Sequence, residues 1–238
     1  MRSKIYYIEA EYVIIVIKCE GTRLSFIKRL NGGSAFLYLI SSKIYKEFMA
    51  LYLKLFLSYI VHLPHYVLYL CSSSKTLIDE DIKVMSEQFN YNVSLTNQLF
   101  LLLRDSFFRS LFYFRVGHAG RLLSVINPGE KNFYIDTKLE GGVYLAHPFS
   151  TIIYAKSVGK NLTIRQCTTI GNKKEGGRET TPVIGNNVDI GANVVIIGNI
   201  KIGNNVKIGA GSVVLHDVAD NCVIAGNPAK VIKNKSII

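Results

Sequence analysis

Aliphatic residues recur at every sixth position through much of the second half of the chain. One unbroken series consists of Ile184, Ile190, Ile196, Ile202, Ile208 and Val214. A period of six matches neither the turn of an α-helix nor the alternation of a β-strand. It indicates a solenoid in which each hexapeptide supplies one short strand and one turn, so that three hexapeptides form a triangular coil of about eighteen residues.

A second run with the same spacing lies upstream, at Ile152, Val158, Ile164 and Ile170. These side chains are expected to point into the prism and to stack from coil to coil. Ile170 and Ile184 are 14 residues apart (184 − 170), and the polar segment 172–182 between them is expected to be a loop outside the repeat. Corner positions that tolerate positive φ are predicted at Asn186, Asn187, Asn204 and Asn205.

The first half carries a different pattern, which predicts helices. Residues 36–71 are strongly apolar, and within them tyrosines recur every seven residues at Tyr38, Tyr45, Tyr52, Tyr59 and Tyr66. On a helix this spacing forms one stripe. Three interpretations stay open: core or subunit packing, a helix on a membrane surface, and a transmembrane span over 51–71. Further helices are predicted over 76–89 and 95–116, with Gly117 as a stop.

Composition divides the chain at the same place. Of 26 Phe and Tyr residues, 21 lie in residues 1–130, whereas 13 of 19 Gly residues lie in residues 131–238. We therefore predict a mainly β protein with two domains: a helical, aromatic-rich domain over 1–130 and a β-helix domain over 131–238. Net charge is 28 − 17 = +11 and is spread over both parts. Spread charge argues against a nucleic-acid-binding arm and suits anionic small molecules or a membrane face.

The cysteines and histidines argue against a disulfide framework and a metal site. The four cysteines are far apart and form no CxxC pair, which makes a reducing cytosol the default compartment. Only His147 and His216 lie in the solenoid, and a catalytic zinc in such a fold needs three suitably spaced histidines. No metal is expected.

Several motifs resemble a known family. The repeat and the ending GNPAKVI (226–232) resemble the hexapeptide-repeat acyltransferases, which have a left-handed parallel β-helix. Within that family, residues 132–232 are similar to the serine acetyltransferase branch through LAHP (145–148), QCTTIGN (166–172) and IGAGSVV (208–214). The segment 107–117 resembles the one that precedes the β-helix in acetyltransferases from surface-polysaccharide gene clusters.

The resemblance implies an acetyl-CoA donor and a catalytic histidine at His147. Transfer of an acetyl group from a thioester to a hydroxyl needs a base, and histidine suits that role. Leu145 and Ile152 are seven residues apart, so the hexad register slips beside His147, which could turn its side chain outward. The positions that the resemblance assigns to acetyl-CoA are Gly171 at the thiol end, Ala192 and Ala210 along the arm, and Lys230 at the phosphates.

The acceptor side departs from the serine acetyltransferase pattern. Ala146 stands where the family has an acid that holds serine, and Asn132 stands where it has an acid that orients the histidine. Thr180 and Thr181 replace an Arg-His pair that binds the amino-acid carboxylate. A zwitterion would lack both counter-charges here, and an unpaired charge is costly to desolvate.

These departures favour a neutral polyol as acceptor, although Arg178 in the loop could still reach a carboxylate or phosphate. Asp136 and Glu140 are alternative acids for orienting His147.

The sequence therefore predicts an acetyl-CoA-dependent O-acetyltransferase that modifies a sugar hydroxyl of a surface glycan. Serine O-acetyltransferase is the second interpretation, and a non-catalytic solenoid scaffold is the third. The expected partners are a small-molecule donor and a glycan acceptor, without nucleic acid. A homotrimer or a dimer of trimers is expected, in the cytoplasm, with peripheral contact at the inner membrane surface as an open alternative.

Overall fold

The computed structural model describes residues 16–19, 22–25, 42–90, 93–173 and 177–234. The chain divides into two compact units, Met1–Leu57 and Ser58–Ile238. In the first unit, strands β1 (Val16–Cys19) and β2 (Thr22–Ser25) form an antiparallel pair that the sequence analysis does not anticipate.

Five α-helices occur among the described residues, and the first of them crosses from one unit into the other. They are α1 (Ser42–Cys71), α2 (Lys75–Phe89), α3 (Leu95–Leu102), α4 (Ser106–Val116) and α5 (His118–Ile126). Asp105 begins α4 by accepting hydrogen bonds from the amides of Phe107 and Phe108, at 2.7 and 3.1 Å. Gly117, with φ of +69°, ends α4 as predicted.

Helices α2, α3 and α4 and the end of α1 share one apolar core. Its fully buried members include Ile82, Leu99, Leu103, Phe108 and Phe112. Tyr59 and Tyr66 both contact Phe100 of α3, with ring centroids 4.3 and 5.5 Å apart. Tyr66 therefore packs against the helical core, whereas Tyr59 is 38% exposed.

The other three tyrosines of the stripe lie wholly or in part outside the described residues. Tyr38 lies outside the described residues, and so do the side chains of Tyr45 and Tyr52. Among the residues described, no helix combines the length and the apolar character needed to cross a membrane.

Residues 133–234 form the predicted parallel β-helix of about five coils. Its strands are β3 (Phe133–Leu139), β4 (Tyr144–Ala146), β5 (Thr151–Val158), β6 (Thr163–Arg165), β7 (Thr169–Gly171), β8 (Val183–Ile184), β9 (Asp189–Ile190), β10 (Val195–Ile197), β11 (Lys201–Ile202), β12 (Lys207–Ile208), β13 (Val213–Val214), β14 (Cys222–Gly226) and β15 (Ala229–Asn234). Each strand pairs in parallel with the one a coil away, except that β15 folds back antiparallel on β14. The fold-class prediction is confirmed, and the hexapeptide repeat fits a left-handed β-helix.

The hexad positions form the core of the β-helix, with one correction. The stack of buried side chains is Ile164, Ile170, Ile184, Ile190, Ile196, Ile202, Ile208 and Val214. Ile152, predicted to point inward, is instead 44% exposed, and Ile153 is fully buried opposite Ile170. The turn at 147–150 contains two residues of positive φ, and the step from Leu145 to the next buried aliphatic residue, Ile153, is eight rather than six.

Asparagine side chains stack along one corner of the β-helix. Asn161 donates to Asn187, Asn187 to Asn205 and Asn205 to Asn221, at 2.8, 2.9 and 2.9 Å. All four have φ between 55° and 60°, which asparagine tolerates better than most residues.

The corner prediction holds for Asn187 and Asn205 and is wrong for Asn186 and Asn204, whose φ is not positive. Those two form a second ladder, in which the amide of Asn186 donates to Asn204 Oδ1 at 2.9 Å.

A buried ion pair joins the helices to the first coil. Arg115 of α4 contacts Asp81 of α2 at 2.9 and 3.2 Å, and both side chains are almost fully buried. Arg115 also donates to the carbonyl oxygens of Leu139 and Glu140 at 2.5 and 2.7 Å, and Asp81 accepts from the amide of Val143 at 2.9 Å. The pair therefore satisfies main-chain groups at the end of the solenoid, where no further coil exists to do so.

Replacing Arg115 tests this junction. Arg115→Ala leaves Asp81 buried without its partner and two carbonyl groups without donors, so we expect a loss of about 3–5 kcal/mol in the free energy of unfolding. Urea denaturation followed by circular dichroism measures the loss, and Arg121→Ala, at an exposed position of α5, is the control. A loss below about 1 kcal/mol, no more than a typical surface change, would contradict the assignment.

A second buried polar cluster contains two histidines. The Tyr113 hydroxyl donates to the carbonyl oxygen of Asn127 at 2.5 Å, so it accepts from His65 Nε2 at 2.8 Å. His65 Nδ1 is buried without a hydrogen-bond partner, and His62 Nδ1 accepts from the Asn127 amide at 3.2 Å. Burial lowers the pKa of both histidines from 6.5 to about 4, with a further contribution from the positive charge of Arg109.

Acid should therefore destabilise the fold. Between pH 6.5 and 4 the unfolded chain binds protons at His62 and His65 that the native state excludes, so stability present at pH 7 is lost as pH falls. Each histidine should cost on the order of 2 kcal/mol between pH 7 and pH 5. Thermal melts at these two pH values check this. His65→Gln, which can still donate to Tyr113, should weaken the dependence, whereas His118→Gln on the surface should not; equal slopes for all three proteins would refute the prediction.

Candidate active site around His147

His147 lies on the turn between β4 and β5, where the hexad register is broken. Its backbone adopts φ of +53°, and its carbonyl oxygen accepts a hydrogen bond from the amide of Phe149 at 2.8 Å. The side chain is exposed, whereas the following Pro148 is buried. A left-handed conformation is uncommon outside glycine and asparagine, and such conformations cluster at functional sites. The irregular spacing correctly predicts that the imidazole points outward.

The imidazole contacts an aromatic ring from the helical region. Phe107, at the start of α4, lies with its ring centroid 6.1 Å from that of His147, and the two rings are nearly perpendicular at 82°. This arrangement is favourable for aromatic pairs, by about 0.5–1.5 kcal/mol. Among the described residues, no side chain forms a hydrogen bond with the His147 ring. The sequence analysis did not identify Phe107 as a site residue, because no local pattern links it to a turn 40 positions away (147 − 107).

The residues considered for orienting His147 make other contacts. Asn132 is exposed, and its carbonyl oxygen accepts from the amide of Thr151 at 3.3 Å. Asp136 pairs with Arg178 and accepts from the Tyr134 hydroxyl at 3.4 Å. A role for Asn132 or Asp136 in orienting His147 stays a prediction.

Two of the positions predicted for the donor, Ala192 and Ala210, lie on the same corner of successive coils as the turn that carries His147. The amide of Cys167 donates to the carbonyl oxygen of Phe149 at 3.0 Å, two residues from His147. One coil further, Asn193 donates to Gln166, and then Gly211 donates to Ala192, both at 2.9 Å. Ala192 and Ala210 therefore follow the turn of His147 along one edge of the prism.

Gly171 and Lys230 lie at other points of the β-helix. Gly171 ends β7, and a methyl group added at its Cα would meet no atom within 4 Å. At Gly191, by contrast, a methyl group would lie 2.5 Å from the amide nitrogen of Ala210. Gly171 is buried, but among the described residues its Cα leaves room for a methyl group. Lys230 is exposed on β15, opposite Ala225.

The inserted loop is attached to the β-helix by two ion pairs. Its described residues are 172–173 and 177–182, and the latter include a 3₁₀ turn over Arg178–Thr180. Arg178 pairs with Asp136 and Glu179 pairs with Lys156. Arg178, expected to be available for an anionic acceptor, is therefore already engaged by a carboxylate.

The two loop threonines and Ala146 present no charge. Thr181 is buried, and its hydroxyl donates to the carbonyl oxygen of Arg178 at 2.5 Å. Thr180 is exposed, and its hydroxyl donates to the carbonyl oxygen of Gly177 at 2.8 Å. Ala146 is half-buried at the end of β4, opposite Arg165. The described residues contain no group of three His, Cys, Asp or Glu side chains that could hold a metal ion.

Comparisons of sequence support the hexapeptide assignment. Residues 181–216 match the family model described as bacterial transferase hexapeptide (six repeats). The serine acetyltransferase of Synechococcus elongatus is 36% identical over 125 residues, which cover 51% of this chain and 48% of that protein. The putative colanic acid biosynthesis acetyltransferase WcaB of Escherichia coli is 48% identical over 86 residues, covering 36% of this chain and 52% of that protein. The matched segments thus span about half the length of these relatives.

A solved structure extends the likeness. The crystal structure of Neisseria gonorrhoeae serine acetyltransferase is similar with a TM-score of 0.56 and 26% identity, over 69% of this chain and 68% of that one. The same enzyme in complex with serine gives a TM-score of 0.54 and 29% identity, over 67% and 69% of the two chains. Residues 181–216 thus carry the hexapeptide-transferase repeat, and the β-helix around them is similar to serine acetyltransferases and to WcaB.

Proposed function

We propose that this chain is an acetyl-CoA-dependent O-acetyltransferase that acts on a sugar hydroxyl of a surface glycan. The observation that carries the proposal is the exposed His147 in its LAHP turn, on the same corner as Ala192 and Ala210. The seven-residue step from Leu145 to Ile152 interrupts the hexad beside His147, and its left-handed backbone is one that corner residues of this β-helix also adopt. The acetyltransferase names of the relatives agree with this activity.

His147 is the proposed general base. Its imidazole takes the proton of the acceptor hydroxyl as the oxygen attacks the thioester carbonyl carbon. The carbon–sulfur bond then breaks, the proton passes to the leaving sulfur, and the products are the acetyl ester and free coenzyme A. No acyl-enzyme is needed, because the hydroxyl attacks directly.

The donor is proposed to lie along the edge of the prism. Alanine at 192 and 210 allows the pantetheine arm to approach the corner closely. The thiol end is proposed to lie beside Gly171, where an added methyl group would meet no described atom. Lys230 is exposed and is proposed to meet the nucleotide phosphates.

The acceptor is proposed to be neutral. Ala146, Thr180 and Thr181 provide no charge for a zwitterion, and the charge of Arg178 is balanced by Asp136. A polyol needs only hydroxyl and apolar partners, so it escapes the cost of desolvating an unpaired charge. The 48% identity to the putative colanic acid biosynthesis acetyltransferase WcaB supports a sugar acceptor.

Serine O-acetyltransferase is the second candidate function. It is favoured by the likeness to the gonococcal serine acetyltransferase in complex with serine. The neutral residues at 146, 180 and 181 weigh against it. A non-catalytic scaffold is a third candidate, and the exposure of His147 weighs against that.

The proposal extends to assembly and location. We propose a homotrimer or a dimer of trimers in the cytoplasm, where acetyl-CoA is available. Exposed apolar side chains on α1 and α5, among them Leu63, Val67, Leu122 and Val125, support a further contact with another subunit or with a membrane surface.

Replacing His147 tests the mechanism. His147→Ala should lower kcat by about 10²–10⁴ and leave the affinity for acetyl-CoA intact, because the donor lies mainly on other coils. Cys167→Ser should be nearly silent and is the matched control on the same corner. Thiol release measures turnover, and calorimetry measures donor binding. Near-normal kcat in His147→Ala, or an acetylated Cys167 peptide, would disprove the base assignment.

The acceptor class is tested by comparing turnover with neutral saccharides and with L-serine. Neutral mono- and oligosaccharides should support acetyl-CoA-dependent thiol release, with the acetyl ester identified by mass spectrometry. Free L-serine should be a poor substrate, because its ammonium and carboxylate find no counter-charge. Efficient, saturable acetylation of L-serine would restore the second candidate, and the absence of both turnover and donor binding would favour the scaffold.

A further inference from the structure

Helix α4 brings Phe107 against the exposed imidazole of His147 from outside the β-helix. The ring centroids are 6.1 Å apart and the ring planes meet at 82°. The contact joins two parts of the chain that belong to different layers: one is a helix packed in the aromatic core, and the other is a turn of the solenoid. Nothing in the chemistry of a base requires this contact, so its effect must be on the position of the ring.

Among the described residues, no side chain forms a hydrogen bond with the His147 imidazole. A base that must accept a proton at one nitrogen is normally oriented by a hydrogen bond at the other. Here Asp136 is engaged by Arg178, and Asn132 forms hydrogen bonds with Glu130 and Thr151 through its main chain. Among the described residues, the contact that can restrict rotation of the imidazole is the one with the Phe107 ring.

Phe107 itself is held firmly. Asp105 caps the first turn of α4 through the Phe107 amide at 2.7 Å. Arg109, one turn later, donates to the carbonyl oxygens of Leu103 and Pro128 at 2.7 and 3.0 Å. At the far end of the helix, Arg115 is bonded to Asp81 and to the first coil. These hydrogen bonds fix the helix that carries Phe107, and its ring packs against the exposed His147 side chain.

We infer that Phe107 is a positioning residue for the acetyl transfer, holding the His147 imidazole in its working orientation by ring contact instead of by a carboxylate. The inference rests on the proposed function. A ring contact restricts rotation without adding charge, so its loss should lower kcat and leave the KM for acetyl-CoA unchanged. The helical region would then contribute directly to the geometry of the site.

The test uses substitutions at Phe107 that distinguish the effect of an aromatic ring from that of any large apolar side chain. Phe107→Leu keeps an apolar side chain but removes the ring, and we expect kcat for thiol release to fall by about ten-fold to 10²-fold, as for a misplaced catalytic group. Phe107→Tyr keeps the ring and should stay close to the wild-type kcat. Phe114→Leu is the matched control, because Phe114 lies on the same helix and packs against the β-helix core without a described contact to His147.

A measurement independent of turnover separates this inference from the proposed function. The His147 ring protons, assigned by their loss in His147→Ala, feel the magnetic field of the Phe107 ring in NMR spectra. Phe107→Leu should shift them, whereas Phe114→Leu should not. If the wild-type protein transfers no acetyl group to any acceptor, the proposed function fails, and the NMR shift still reports whether the contact exists.

The inference is overturned if the wild-type protein is active and folded Phe107→Leu keeps its kcat, or loses only acceptor affinity. It is equally overturned if the His147 resonances do not move. Circular dichroism establishes folding first, and should Phe107→Leu not fold, Phe107→Met replaces it with another ringless apolar side chain.

Discussion

The pair formed by Arg115 and Asp81 is the constraint on which the rest of the structure depends. In a β-helix the main-chain N–H and C=O groups of each coil form hydrogen bonds with the neighbouring coils. The first coil has no neighbour on its outer side, so some of its main-chain groups need other partners. Here the guanidinium of Arg115 donates hydrogen bonds to two carbonyl oxygens of that coil, and the carboxylate of Asp81 accepts one from a main-chain amide. Burial raises the pKa of Asp81, and the adjacent guanidinium opposes that shift. Each charge is tolerated in the interior only because the other is present.

This junction also fixes where the helices meet the solenoid. Because α4 is bonded to the first coil near its C-terminal end, its N-terminal end lies beside the turn that carries His147. A single helix therefore closes the end of the β-helix and supplies an aromatic surface to the candidate site. The structural role and the proposed functional role of α4 are consequences of the same placement.

The candidate site lies where the repeat is interrupted. In the regular hexads the aliphatic side chains pack in the core and the corner asparagines hydrogen-bond to one another. Few side chains are therefore left that could take part in a reaction. The turn at 147–150 adds two residues and turns a histidine outward, and the loop at 172–182 adds a turn held by two ion pairs. The proposed acceptor site draws on both interruptions, whose threonines, alanine and balanced charges are the basis for proposing a neutral acceptor.

The sequence by itself determined the solenoid, because a hexad places one side chain per strand in the core, and this requirement repeats from coil to coil. It also located the irregular turn at His147, the inserted loop and the end of α4 at Gly117. It assigned the wrong isoleucine to the core, since a spacing of seven does not say which neighbour points inward, and only the pairing of Ile153 with Ile170 decided that.

The contacts of Phe107 with His147, of Arg115 with Asp81 and of Arg178 with Asp136 were decided by tertiary structure alone. Their partners lie 40 (147 − 107), 34 and 42 residues apart, and no local periodicity links positions that approach each other only when separate elements pack together.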